Sequence, residues 1–240
     1  MGRLHVNPGG WIEKAEIAHF EALDVSRIMQ EKALKDDEKE DHEMTRNNHA
    51  PKGSAIAVDP IKSKKALGTI AKLLYDRPRD HALFVVGIHS ALRASDLLAL
   101  TVGGIKAILA DPDDGDVIRE IKEGKLRRIS ANKPVRAAVE RLLASRPYQD
   151  SDLLFQGKRG PLTTSWLRRM VIGWCEAVNL PGHYGSHTLR KTWGYHMRVT
   201  YNVDIPTLMA VFGHATQRQT LQYLCIQPAE IREVYAFELV

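Results

Sequence analysis

Apolar positions near the start of the chain recur at loose helical spacing. Trp11, Ile12, Ala15, Ala18, Leu23, Ile28 and Met29 predict a helix between Trp11 and Leu34, too isolated to form a compact domain. From Lys35 to Glu43 the pattern turns wholly polar, with nothing to bury, and predicts a solvated helix end or a mobile linker. The stretch from Asn47 to Ser54, holding Pro51 and Gly53, marks the domain boundary. Residues 1–50 are therefore expected to be a helix and charged linker, and residues 51–240 the principal domain.

Beyond the boundary the helical period strengthens. Asp59-Pro60 reads as a cap and first turn, and Ile61, Leu67, Ile70, Ala71 and Leu74 form one apolar face. Asp80 is placed to cap a second helix, whose run Ala82 to Val86 is apolar all round and so predicts burial. Ile105 to Leu109, Val117 to Ile121 and Leu126 to Ile129 are short and rich in branched residues. Turns at Asp113-Asp114-Gly115 and Glu123-Gly124 separate the last two from what precedes them, which predicts a small three-stranded antiparallel sheet. Helices resume after Pro134, after Thr163, over Thr188 to Arg198, from Asp204 to Phe212 with Gly213 as the stop, and after Pro228. The fold class expected is mainly α (α+β).

With 240 residues and 44% hydrophobic content the chain can build a proper core. Charge is uneven. Residues 1–50 carry 7 Lys/Arg against 11 Asp/Glu, a balance of −4, and residues 51–240 carry 27 against 18, a balance of +9. A basic body suits a polyanionic partner such as DNA, although basic charge alone does not distinguish nucleic-acid binders from other basic proteins. Cys175 and Cys225 are the two cysteines, without framework spacing, which points away from disulfides and toward a reducing compartment. No apolar run reaches the roughly 18 residues of a membrane span and no signal-peptide core is seen, so a cytoplasmic location is expected. Among His183, His187, Cys175 and Cys225 there is no close ligand pair, and no metal is expected.

Candidate chemistry concentrates in the last third. His187 and Arg190 stand three apart at the start of a predicted helix, on one face, within reach of a common phosphate. Gly213-His214 ends an apolar helix, and Tyr223 follows on a short one. Each signal alone is weak: a helix-start His, a surface Arg, a helix stop and a core tyrosine would explain them. Together these types meet the needs of phenol attack on a phosphodiester. Cations meet charge on the non-bridging oxygens, a base takes the phenolic proton, and an acid protonates the leaving oxygen.

The arrangement resembles the tyrosine recombinase (phage integrase) family, whose signature runs His-x-x-Arg, then Gly-His, then a nucleophilic tyrosine nine residues after that histidine. His214 and Tyr223 are nine apart here, and Ser186 to Thr192 and Thr220 to Tyr223 are similar in wording. The family's first arginine lies in Gly-Leu-Arg-x-x-Glu-Leu, which Ala91-Leu92-Arg93-Ala94-Ser95-Asp96-Leu97 resembles, with Ala91 for the glycine and Asp96 at the acidic position. The family's lysine, on a hairpin worded like Lys-x-Gly-Lys-x-Arg, falls on Lys122 in Lys122-Glu123-Gly124-Lys125-Leu126-Arg127, with Lys125 as its rival.

The resemblance covers about residues 55–240 and implies a helical catalytic domain shared with type IB topoisomerases. It implies that Tyr223 forms a 3′-phosphotyrosyl link and frees a 5′-hydroxyl. Arg93 and Arg190 bind the phosphate, His187 takes the tyrosine proton, His214 adds a hydrogen bond and Lys122 protonates the leaving oxygen. Asp96 orients Arg93. No cofactor is implied. Double-stranded DNA is the partner, held by a homotetramer on two sites, a monomer being compatible with the DNA-free state. A prokaryotic, viral or plasmid-borne source is implied. Lys125, Arg168, Arg169, Lys191 and Arg218 are candidate DNA contacts, although a solvated helix face also explains Arg168 and Arg169. Trp193, one turn from Arg190, reads as core. The helix after Pro228, with Ile231, Val234, Tyr235 and Leu239, fits docking on a neighbour or packing on its own domain. Family members generally carry a further helical domain of about a hundred residues, a normal domain size, before the catalytic one; about 50 residues stand there here. The rival readings are a DNA-binding module of this fold that does not cleave, and a relaxing topoisomerase.

Overall fold

Helix α1 (Lys64–Leu73) begins where the Ser63 side chain accepts from the Ala66 amide. Asp59, expected to cap it, is used elsewhere. The computed structural model describes residues 58–110, 116–119, 126–129, 131–157 and 160–224, all belonging to the unit Ile56–Val240. The leader helix and charged linker, Lys122, Lys125, Cys225 and the helix after Pro228 lie outside the described residues.

The order continues with α2 (Pro78–His89), α3 (Ala94–Leu98), α4 (Val102–Ala110), β1 (Asp116–Arg119), β2 (Leu126–Ile129) and α5 (Lys133–Ala144). A short hairpin β3 (Gln156–Gly157) and β4 (Gly160–Pro161) precedes α6 (Thr164–Ala177), α7 (Thr188–Tyr195), a π-helical turn (His196–Thr200), α8 (Ile205–Phe212) and α9 (Gln217–Leu224). Helix α2 is buried along Ala82 to Gly87, as its all-apolar run requires, and packs against α5 and α7. Its cap differs from expectation. Arg77 occupies the N-cap position, Pro78 starts the helix, and Asp80 sits buried in the first turn, paired with Arg79 at 2.7 Å.

The expected three-stranded sheet is corrected to a two-stranded antiparallel hairpin, with Asp116 opposite Ile129 and Arg119 opposite Leu126. Ile105 to Leu109 is helical, inside α4. Val102, Ile105 and Ile108 recur every three residues and are all buried, so one helical face outweighs the strand propensity of branched side chains. Thr101 fixes the start, its hydroxyl accepting from the Gly104 amide. The tiny β3–β4 hairpin was not anticipated, since two-residue strands carry no periodicity.

Expected caps recur where polar side chains precede helices. Thr163 accepts from Trp166 and Asp204 from Thr207, while α5 starts from Asn132 rather than after Pro134. The helix predicted through Arg198 gives way after Tyr195 to the π-helical turn. The segment before α1 is stitched to α7. The Asp59 amide donates to His183 O at 2.6 Å, Thr188 Oγ1 donates to Asp59 O at 3.0 Å, and the Ile61 amide donates to Thr192 Oγ1 at 2.8 Å. Asp59 Oδ2 in turn accepts from the His183 amide. These bonds fix the frame from which α7 presents its first turn.

Candidate active site

The site rests on an apolar floor of Ala91, Leu208, Phe212 and Leu224, with Trp193 and Tyr223 packed against it. Trp193 meets Phe212 edge-on at 5.5 Å, the core role expected of it. Burying side chains of this size contributes about 1.5–3 kcal/mol each. The cluster therefore gives the polar groups above it a firm base.

Helix α7 supplies His187, Arg190 and Lys191. His187 is exposed at the N-cap position, and its carbonyl accepts from the Lys191 amide at 2.9 Å. Arg190 is 3% exposed and reaches inward. Its Nη1 donates to the Ala91 carbonyl and its Nη2 to the Phe212 carbonyl, the latter at 2.8 Å. One guanidinium thus joins the turn before Arg93 to the turn before His214. An arginine fork carries five N–H donors in a fixed planar geometry, which suits it to hold two acceptors at once.

Arg93 caps α3 and is partly exposed, and Asp96 is buried in the first turn behind it. Ala91 has φ 53°, a left-handed conformation, where the resembling motif has glycine. The departure noted in the sequence is thus a position where L side chains are strained.

His214 follows a left-handed Gly213 (φ 67°) in a Schellman closure. The His214 amide donates to Met209 O at 3.0 Å and the Gly213 amide to Ala210 O at 3.2 Å. The imidazole stacks on Phe212 with centroids 5.1 Å apart, and its Nδ1 lies 2.9 Å from the hydroxyl of buried Thr220. When that hydroxyl donates, the ring proton resides on Nε2, away from Thr220.

Tyr223 completes the group. Its ring lies 5.3 Å from the His214 ring and 5.1 Å from Phe212, with Arg190 Cζ 5.8 Å and Lys191 Nζ 5.3 Å from its centroid. Tyr223 is therefore set against both His214 and Arg190, Arg190 is tied to the Ala91 carbonyl two residues before Arg93, and His187 lies one turn before Arg190. Among the candidate DNA contacts, Arg168 is exposed with its stem near Gly185, Arg169 lies over the Trp166 ring at 4.8 Å, and Arg218 is exposed on α9. Lys191 is buried instead, at 6% exposure.

Sequence reading missed Phe212 and Thr220 as parts of the site. Phe212 looked like any helix-end aromatic, while Thr220 stood in motif wording without a role. Burial, with the Glu176 carboxylate nearby, pushes the Cys175 thiol up to about 12, which makes it inert at neutral pH. Among the described residues no group of three or more His, Cys, Asp or Glu is placed to hold a metal ion, and no helix is long and apolar enough to cross a membrane.

Fold and site together define a class: a mainly helical domain that sets a tyrosine beside a guanidinium and an imidazole, the groups of phosphoryl transfer through a protein nucleophile. The chain belongs to the Phage integrase family, whose profile matches residues 63–230. It is 29% identical over 181 residues to the probable integrase/recombinase YoeC of Bacillus subtilis, covering 74% of this chain and 95% of that protein. It is 30% identical over 181 residues to tyrosine recombinase XerC of Caldanaerobacter subterraneus, covering 72% of this chain and 48% of XerC. The matched region spans about half the length of the XerC relatives. The fold is like that of XerA recombinase, with a TM-score of 0.61 at 20% identity over 78% of this chain and 66% of that one. It is also like XerH site-specific recombinase bound to palindromic difH, with a TM-score of 0.58 at 18% identity over 75% and 53% of the two chains.

Proposed function

We propose that this chain is a site-specific DNA recombinase that cleaves and rejoins strands through Tyr223. The observation that carries the reading is the packing of Tyr223 against His214 and Arg190, with Arg190 tied to the turn that bears Arg93. Tyr223 Oη attacks the scissile phosphorus, the P–Oη bond forms, and the bond to the 5′-oxygen breaks. Arg93 and Arg190 meet the charge on the non-bridging oxygens, and His214 adds a hydrogen bond from Nε2. His187, exposed at the start of α7, takes the phenolic proton, and Lys122 gives a proton to the leaving oxygen. The phosphotyrosyl link keeps the energy of the diester, so a 5′-hydroxyl of a partner strand reseals it by the reverse steps without ATP.

The same reading takes double-stranded DNA as partner, a homotetramer on two sites during exchange, and a cytoplasmic setting in a prokaryotic, viral or plasmid-borne context. Arg168, Arg169, Arg218 and Lys125 grip phosphates, which positions the protein without specifying sequence. Residues 1–50 stand outside the catalytic domain of residues 51–240.

The test begins by selecting a bound site from a random duplex pool with the Tyr223→Phe variant. A panel of duplexes nicked at each position of that site is then incubated with the unaltered protein in EDTA. A covalent protein–DNA adduct, absent from Tyr223→Phe, is expected. No adduct on any selected duplex sinks the reading and leaves a DNA-binding module, and relaxation of arbitrary supercoiled plasmid without a preferred site replaces it with a topoisomerase.

A further inference from the structure

Lys191 is a buried cation to which the reaction outlined above gives no part. It follows Arg190 on α7, is 6% exposed, and directs its ammonium at the Tyr223 ring with Nζ 5.3 Å from the centroid. A phosphate-gripping lysine stands in solvent on a flexible stem, because DNA phosphates are reached from the surface. The Lys191 ammonium is instead set against the phenol that becomes negative as it attacks.

We propose that Lys191 is a positioning residue for Tyr223: its ammonium fixes the phenol ring through the π face, and its charge stabilises the phenolate that develops during cleavage. The inference rests on the reading of Tyr223 as nucleophile. The phenolic proton goes to His187, and the P–Oη bond forms as before. The charged and titratable groups set against the Tyr223 ring include Arg190 and Lys191 from α7 and His214 from the turn after α8, with the Phe212 ring beside them. Arg190 is held by two backbone carbonyls, which fixes its distance from the ring, whereas Lys191 is one residue further along and nearer. A unit charge several ångströms from the phenol, partly screened by solvent, shifts it by about one pH unit.

Two measurements on the full chain test this. In the first, without DNA, the tyrosines carry 13C at Cζ and the Tyr223 resonance is assigned by its loss in Tyr223→Phe. Lys191→Met, which keeps the stem and removes the charge, is expected to move the Tyr223 titration up by about one pH unit, with Lys191→Arg restoring it to within a few tenths. Superimposed titrations of Lys191→Met and the unaltered chain, with both folded by circular dichroism, overturn the proposal. In the second, single-turnover adduct formation on the selected nicked duplex is followed from pH 6 to 9 at saturating protein. Lys191→Met is expected to be about tenfold slow by a constant factor across that range, the size of a one-unit shift in a phenol that stays mostly protonated there, with Lys191→Arg restoring most of the rate. No defect, a defect that Lys191→Arg shares in full, or one abolished by more protein overturns it, the last returning Lys191 to DNA contact. If the unaltered chain forms no adduct, the recombinase reading fails, while the DNA-free titration still decides the effect of Lys191 on Tyr223.

Discussion

Arg190 donates a hydrogen bond to the carbonyl of Ala91, 99 residues upstream, at a position whose backbone is left-handed. The same guanidinium bonds the Phe212 carbonyl, so a single side chain sets the spacing of the Arg93 and His214 turns. A lysine is a point donor on a flexible stem and cannot hold both carbonyls. Arg190→Lys is therefore expected to lose adduct formation and also about 2–4 kcal/mol of stability, since a buried bonding pair is broken. Urea denaturation beside the nicked-duplex assay checks both. A variant inactive yet as stable as its parent would show that the carbonyl bonds contribute nothing to the fold.

Thr220 meets His214 through the 2.9 Å contact with Nδ1. Thr220→Val keeps the shape of the fully buried side chain and removes the hydroxyl. The imidazole then loses the partner that sets its tautomer and orientation. Cleavage is expected to slow about tenfold, equivalent to about 1.4 kcal/mol in the barrier. Duplex binding by the same substitution in a Tyr223→Phe background should be unchanged by filter binding, which separates an orientation role from a docking role.

The parts of the fold readable in the sequence were those written in local pattern. Asp204 and Gly213 bracket α8 because a capping carboxylate and a residue free to turn left-handed are local requirements. Ala82 to Val86 could only be buried. Ile105 to Leu109 misled because branched residues suggest a strand, while burial of Val102, Ile105 and Ile108 on one face makes a helix. The candidate site was legible as residue types in order, His187, Arg190, His214 and Tyr223. What the sequence could not carry was the tertiary part: that Arg190 points at backbone rather than at solvent, that Phe212 is the plate under His214 and Tyr223, and that Lys191 turns inward. Those facts depend on helices meeting across long chain separations. The alanine in place of glycine at position 91 was visible, but its φ of 53° was not.

Gly194 lets α7 approach the floor of the site. A Cβ there would fall 2.5 Å from Phe212 Cζ and 2.7 Å from Leu224 Cδ2, well inside contact distance. Alanine improves helix propensity by about 1 kcal/mol, yet overpacking a close-fitted core costs about 1–3 kcal/mol and the phenyl ring has other neighbours on its far side. Gly194→Ala is expected to destabilise by about 1–2 kcal/mol net. Because the displaced ring is the one stacked on His214, adduct formation should fall as well. A thermal midpoint equal to or above that of the parent, with full activity, would mean the floor yields more readily than its packing implies.

His196 links stability to pH. Its Nε2 donates to the Ile61 carbonyl at 3.0 Å, which requires a proton on that nitrogen, and Nδ1 faces Thr200 Oγ1 at 3.1 Å. Burial lowers its pKa below the usual histidine value, the Ile61 bond opposes the shift, and the charge of Lys64 adds to it. His81 is lowered in the same direction by burial and by Arg141. In both cases the unfolded chain takes up protons more readily than the folded one. Stability is therefore fully present above the unfolded value near 6.5 and falls as the pH drops through it toward the depressed folded values. Urea midpoints should decline between pH 7.5 and 5. His196→Gln, which keeps a donor for Ile61 but does not titrate, should flatten that decline, and the His81→Gln, His196→Gln double variant should flatten it further. An unaltered slope in the double variant would assign the acid sensitivity to the carboxylates instead.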